Sequence, residues 1–213
     1  GVKIENPQAL INEIQYHTKY KPENLPSAVY NLSCKIDDRG IYSFCMCPGG
    51  LIVPTATTPG EIVVNGMSLA RRDSPFANSG LVVEINENDW NEYSNDFPFS
   101  GLRLQQNVEQ RAFQLANNTQ SAPAQRATDF IQGKFSQTLP ISSYIPGLTS
   151  ARLDEELPDF IAGRLKKALI EFNKKMRGYN TEDAVLVAAE TRTSSPIRIP
   201  RDKETIMHIE QKG

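Results

Sequence analysis

Three stretches of this 213-residue chain gather side chains capable of chemistry. The first is Cys45-Met46-Cys47-Pro48-Gly49-Gly50. On an extended strand, Cys45 and Cys47 share a face with Ile41 and Ser43, while Tyr42, Phe44 and Met46 take the other. Paired thiols suit a soft metal or a redox couple. A zinc site wants about four ligands, and Cys34, His17 and His208 stand at no ligand spacing. A Cys-x-Cys disulfide would be strained, and buried thiols also serve as small apolar side chains. The consecutive glycines let backbone approach a ligand closely. The second stretch is Asn65-Gly66-Met67-Ser68, followed by Arg71-Arg72. It reads either as a tight hairpin turn beside exposed arginines or as a ligand-facing loop. The third runs from Glu190 through Arg192, Thr193, Ser194 and Ser195 to Arg198. Three hydroxyls between two guanidiniums form a donor set for an anion or a carbonyl, or a turn held by Ser and Thr side chains. No Ser-His-Asp arrangement emerges, and Glu155-Glu156 is explained as well by a helix dipole as by acid–base work.

The elements that must position these stretches follow from periodicity. Val2-Lys3-Ile4 predicts a strand. Asn6-Pro7 then predicts an N-cap and first helical residue, with Leu10, Ile11 and Ile14 on one face. Tyr30, Leu32, Cys34 and Ile36 alternate with polar residues. Asp37-Asp38-Arg39-Gly40 supplies a turn into a second strand, Ile41 to Cys47. Residues 51–53, 61–64 and 81–85 are further strands. Leu104, Val108, Ala112 and Leu115 fall at helical spacing, and a short helix is expected from Pro123. Residues 133–150 read as loop. The clearest helix spans 158–177, with Ile161, Leu165, Leu169, Phe172 and Met176 on one face and Gly178 ending it. Residues 184–189, nearly all apolar, predict a buried strand able to pair with the first. The fold class is therefore α+β: a β-rich, barrel-like or mixed-sheet subdomain (1–100 and 180–213) with a mainly helical subdomain (101–179) inserted.

Composition narrows the function. Lys+Arg 23 against Asp+Glu 25 leaves a net charge of −2, which argues against a nucleic-acid surface built on global basicity. No apolar run approaches the roughly 18 residues of a membrane span. Three cysteines suit a reducing, cytoplasmic setting. Among 13 glycines none forms Gly-x-Gly, so neither a dinucleotide fingerprint nor a Walker loop is present. The leading Gly1 and the abrupt end at Gly213 read as a domain cut from a longer polypeptide.

Taken in order, GVKIENPQALINEIQY (1–16), CMCPGG (45–50), VVNGMSLARRDSPFANSGLVV (63–83), APAQRATDF (122–130) and ETRTSSPIRI (190–199) carry a resemblance. The chain is similar to the central, inserted substrate or cap domain of bacterial uncharacterised FAD-dependent (NAD(FAD)-utilising) dehydrogenases. The resemblance implies an oxidoreductase parent that holds FAD between segments flanking this one, with NAD(P)H a candidate electron donor. It implies, as partners, the flavin-binding halves of the same polypeptide and an unknown small-molecule substrate, with neither nucleic acid nor membrane. The isolated chain is then expected neither to bind FAD nor to catalyse. Residues carried over as cofactor- or substrate-facing are Cys45, Cys47, Pro48, Gly49, Gly50, Asn65, Gly66, Met67, Ser68, Arg192, Thr193, Ser194, Ser195 and Arg198. Two other readings stay open: a stand-alone binding module using the Gln/Asn-rich helices, and a cysteine-based redox or metal domain.

Overall fold

The computed structural model describes residues 1–193 and 198–211. Its first strand, β1 (Val2–Pro7), is buried along nearly its whole length because both faces are covered. It pairs antiparallel with β6 (Phe76–Val83) on one side and β9 (Val185–Val187) on the other. The expected pairing of the first and last strands is thus present, with Ile4 opposite Leu186. Beyond β6 lie β3 (Arg39–Cys47) and β2 (Ser33–Ile36). Beyond β9 lie β7 (Ala122–Arg126) and β8 (Leu148–Ser150). The result is a seven-stranded mixed sheet in the order β2-β3-β6-β1-β9-β7-β8, in which only β7 and β8 run parallel. A separate antiparallel pair, β4 (Gly50–Pro54) and β5 (Val64–Ser68), packs near β6, β3 and β1. The architecture is α+β with a mixed sheet, and the sheet is not closed into a barrel.

Local chemistry explains most of these elements. The β2–β3 hairpin turns on Asp37 and Asp38, at φ 48° and 65°, so that Ile36 faces Arg39. Short Asx side chains tolerate the left-handed region that a two-residue turn with right-handed strand twist requires. Helix α5 (Asp159–Lys175) buries Ile161, Leu165, Leu169 and Phe172, spaced by three or four residues, and carries Lys174 and Lys175 in its last turn. It packs on β2, β3 and β6. Tyr179 continues this layer, edge-on to both Phe172 and Tyr30, and the Tyr30 hydroxyl lies 2.9 Å from Ser79 Oγ. Ser79 faces Ile4 in the ladder, so one side of the central strands forms the main apolar core.

Several expectations are corrected. Asn6 and Pro7 finish β1, opposite Ala77 and Phe76, and helix α1 (Gln8–Tyr16) starts one residue later. Proline ends the ladder without wasting a donor. Pro123 lies inside β7, and the short helix α3 (Ala127–Gln132) begins only after Arg126. Residues 148–150, read as loop, form β8. A 3-10 segment, Glu87–Asp96, went unpredicted because its apolar residues show no helical period; a reciprocal Asn86–Asp89 capping box starts it. Helix α2 (Ser100–Leu115) and the one-turn α4 (Leu153–Glu156) complete the 101–179 region, which supplies β7 and β8 to the same sheet.

Candidate functional site

The cysteine stretch does not run as a regular strand. Phe44 pairs with Gly80 and Cys47 with Asn78, so Cys45 and Met46 together oppose Ser79. This bulge puts Cys45 at φ 48° and into solvent, and turns Cys47, half-buried, to the Phe44 face. The shared face expected for Cys45 and Cys47 is lost for this reason. Cys47 Sγ donates to the Cys45 carbonyl at 3.4 Å. Pro48, Gly49 and Gly50 are buried. Gly49, at φ 49°, donates its N–H to Gln8 Oε1 at 2.6 Å, and a Cβ there would overlap the Arg72 backbone. At Gly49 the missing Cβ lets two segments of the same chain meet.

Asn65 and Gly66 form no turn. They lie within β5, opposite Val53 and Ile52. Asn65 and Met67 are exposed, while Ser68 reaches down to the Pro48 carbonyl at 3.0 Å. Gly66 rests on a buried polar layer. A Cβ at this position would overlap Asn78 Oδ1 and stand 2.9 Å from both Cys47 Sγ and Lys3 Nζ. Gly66→Ala is therefore expected to cost about 1–3 kcal/mol by overpacking, read as a lower urea midpoint with unchanged slope.

That layer is the sheet face opposite α5. Lys3 and Glu5 of β1 face Gly80 and Asn78 of β6. Lys3, fully buried, meets the Glu190 carboxylate at 3.1 Å. Gly80 makes room for this carboxylate, whose atoms lie 3.0 Å from where its Cβ would be. Asn78 is fully buried, and neither its amide nitrogen nor its oxygen has a hydrogen-bond partner. Glu5 accepts from the Ser143 backbone at 2.9 Å and from its hydroxyl, which in turn accepts from Ile52 N–H of β4. Burial raises the Glu190 carboxyl, with Lys3 pulling the other way. Burial likewise raises Glu5 against its Ser142 and Ser143 hydrogen bonds.

Arg192 is held inside the domain. Its guanidinium bonds both Glu109 oxygens at 3.1 and 2.9 Å and Thr57 Oγ1 at 2.8 Å, with Glu61 at 3.5 Å. Thr191 and Gln105 complete the Glu109 shell. Burial pushes Glu109 up, but these bonds, led by Arg192, bring it below the ordinary carboxylate value. Glu61, buried beside Glu109, is raised. Thr193 and Arg198 are exposed; Ser194 and Ser195 lie outside the described residues.

Thus Cys47, Gly66 and Glu190 come together, while Arg192 belongs to a second cluster on α2. Lys3, Asn78, Glu61 and Glu109 were not foreseen. For Lys3 the sequence signal available was a polar residue at a strand position flanked by apolar ones, Val2-Lys3-Ile4; Glu109, in α2, and Glu61, outside the strands, carry no such signal. Among the described residues no group of three or more His, Cys, Asp or Glu is placed to hold a metal ion, and the three thiols are free. Among the described residues no helix is long and apolar enough to cross a membrane. A cleft of about 410 Å³ lies between the 3-10 segment, α2 and the start of α5, lined by Tyr93, Arg111 and Glu156 and, of the motif residues, by Pro123 alone.

A dinucleotide is held by a glycine-rich turn between a strand and a helix N-terminus. Here β1 enters α1 through Pro7 and β7 enters α3 through Arg126. Neither of these junctions therefore fits the glycine-rich dinucleotide turn.

An uncharacterised protein of Clostridium beijerinckii is 42% identical over 206 residues, covering 95% of this chain and 38% of that protein. The chain thus spans about two-fifths of the relative's length. The family described as "FAD-dependent protein, C-terminal domain-like" matches residues 1–193. With nearly the whole described fold inside that match, the chain belongs to the FAD-dependent protein C-terminal domain-like family.

Proposed function

We propose that this chain is the substrate-side or cap domain of a FAD-dependent dehydrogenase, and that it does not hold FAD by itself. The observation carrying this reading is the family match over residues 1–193, in which neither the β1–α1 nor the β7–α3 junction is a glycine-rich turn. In the parent, redox chemistry belongs to the flavin. The domain contributes shape and solvent exclusion. The surface offered to the flavin-binding parts is the β3–β5 side, where Phe44, Cys45, Asn65 and Met67 are exposed. Thr193 and Arg198 are exposed after β9 and extend the reading to the third motif. Arg192 acts as a positioning residue, fixing where that segment leaves the sheet. A small molecule is the substrate, NAD(P)H the candidate electron donor and the cytoplasm the setting.

The test is a paired purification. The 213-residue chain is expected to be colourless and to leave the fluorescence of added FAD unchanged. The full-length Clostridium relative is expected to carry flavin. Stoichiometric flavin on the short chain would overturn the reading.

A further inference from the structure

Four polar groups from four separate segments converge beneath Gly66. Asn78 Oδ1, Cys47 Sγ and Lys3 Nζ all crowd the point where a Gly66 Cβ would stand, the last two at 2.9 Å, and Glu190 meets Lys3 from the far side at 3.1 Å. Three of the four are buried: Lys3 and Asn78 fully, Glu190 to 5% exposure. Asn78, with both amide atoms unpartnered, is aimed at this point. Cys47 alone is half-buried and joins the cluster to the surface. Burying an ammonium, a carboxylate and an unpaired amide together is costly. A domain needing only packing would fill this layer with apolar side chains.

We propose that Cys47, set against the buried Lys3–Glu190 pair and the unpartnered Asn78 amide, is a covalent modification site for a soft, small-molecule electrophile. The groups around its sulfur are Lys3 of β1, Asn78 of β6, Ser68 of β5, Glu190 after β9, Tyr30 ahead of β2 and Cys45 of its own strand. Burial pushes the thiol up, while Lys3 and Ser68 pull it down. The thiol therefore rests protonated, and the Lys3 ammonium stabilises the thiolate once the proton leaves to solvent. The thiolate sulfur then attacks an electrophilic carbon. A sulfur–carbon bond forms, the bond to the leaving group breaks, and the leaving group departs with the electron pair. This site is independent of the flavin reading, so either can fail alone.

Iodoacetamide is the probe, with alkylation of Cys34, Cys45 and Cys47 followed separately by peptide mass spectrometry across pH. Cys45, exposed on the same strand, is the internal reference. Lys3→Met is expected to slow Cys47 about tenfold relative to Cys45 at neutral pH, matching a one-unit rise in its midpoint. Glu190→Gln, nearly isosteric, is expected to leave Lys3 uncompensated and speed Cys47 several-fold (about threefold or more). If Lys3→Met is unfolded by circular dichroism, Glu190→Gln decides alone. A Cys47-to-Cys45 ratio within about twofold of the unmutated chain in the folded variants, or a slower Cys47 in Glu190→Gln, overturns the proposal.

Discussion

Arg192→Ala is expected to lower the unfolding free energy by about 3–5 kcal/mol at neutral pH, the cost of breaking a buried ion pair from one side. The arginine is one-third exposed, but its partners are not. The Glu109 and Glu61 side chains are 1% and 3% exposed, and Arg192 is the cation paired with both. Without it, two adjacent buried carboxyls face one another with only Thr191 and Gln105 donating to Glu109. The sign of the pH dependence follows. Glu109 is held below its unfolded value, so its contribution is present above that value and lost as pH falls through the folded one. Glu61 is raised and acts in the opposite sense. The gap between the unmutated chain and Arg192→Ala should therefore narrow on acidification, as the orphaned carboxyls, raised by burial, protonate in the folded variant. Adding Glu109→Gln to Arg192→Ala should recover much of the loss. Urea unfolding at neutral and acid pH checks both statements, and a neutral-pH loss under about 1 kcal/mol would remove Arg192 from its positioning role.

The second large effect is expected at Lys3. Lys3→Met keeps the aliphatic stem but leaves Glu190 buried without its cation, at a cost of about 3–5 kcal/mol. Glu190 is already raised by burial, and losing Lys3 raises it further. A carboxyl raised in the folded state favours folding below its unfolded value and loses that contribution as pH rises through the folded one. The Lys3→Met deficit should thus grow from about pH 4 upward, toward neutrality. Lys3→Met with Glu190→Gln removes both charges and should restore stability to within about 1–2 kcal/mol. A double variant no better than the single would mean that Lys3 acts through packing and not through its charge.

These two ion clusters also show why motif chemistry was legible while its use was not. Pro48-Gly49-Gly50 reads as backbone open to a ligand. Within the domain, Gly49 is met by Gln8 and the Arg72 backbone, and Gly50 by Cys47 and the Met67 carbonyl. Asn65-Gly66 has the composition of a tight turn, yet it runs through β5, because Gly66 must lie flat on Lys3, Asn78 and Cys47. In each case the residue type was diagnostic of close approach, and only the identity of the approaching group was missing.

What the sequence determined by itself was the longer elements whose periodicity repeats over several helical turns or a full strand. The 158–177 helix, the Asp37-Asp38 hairpin, the α2 stripe and the apolar β9 run all belong here. So do the α+β class and, through five ordered motifs, the kinship with FAD-dependent proteins. Only the tertiary structure decided where the charges go. Arg192 finds Glu109 across 83 residues and Thr57 across 135, and Lys3 finds Glu190 from the opposite end of the chain. Such partners leave no periodic trace, because a buried charge is satisfied by whichever group the fold delivers and not by its sequence neighbours.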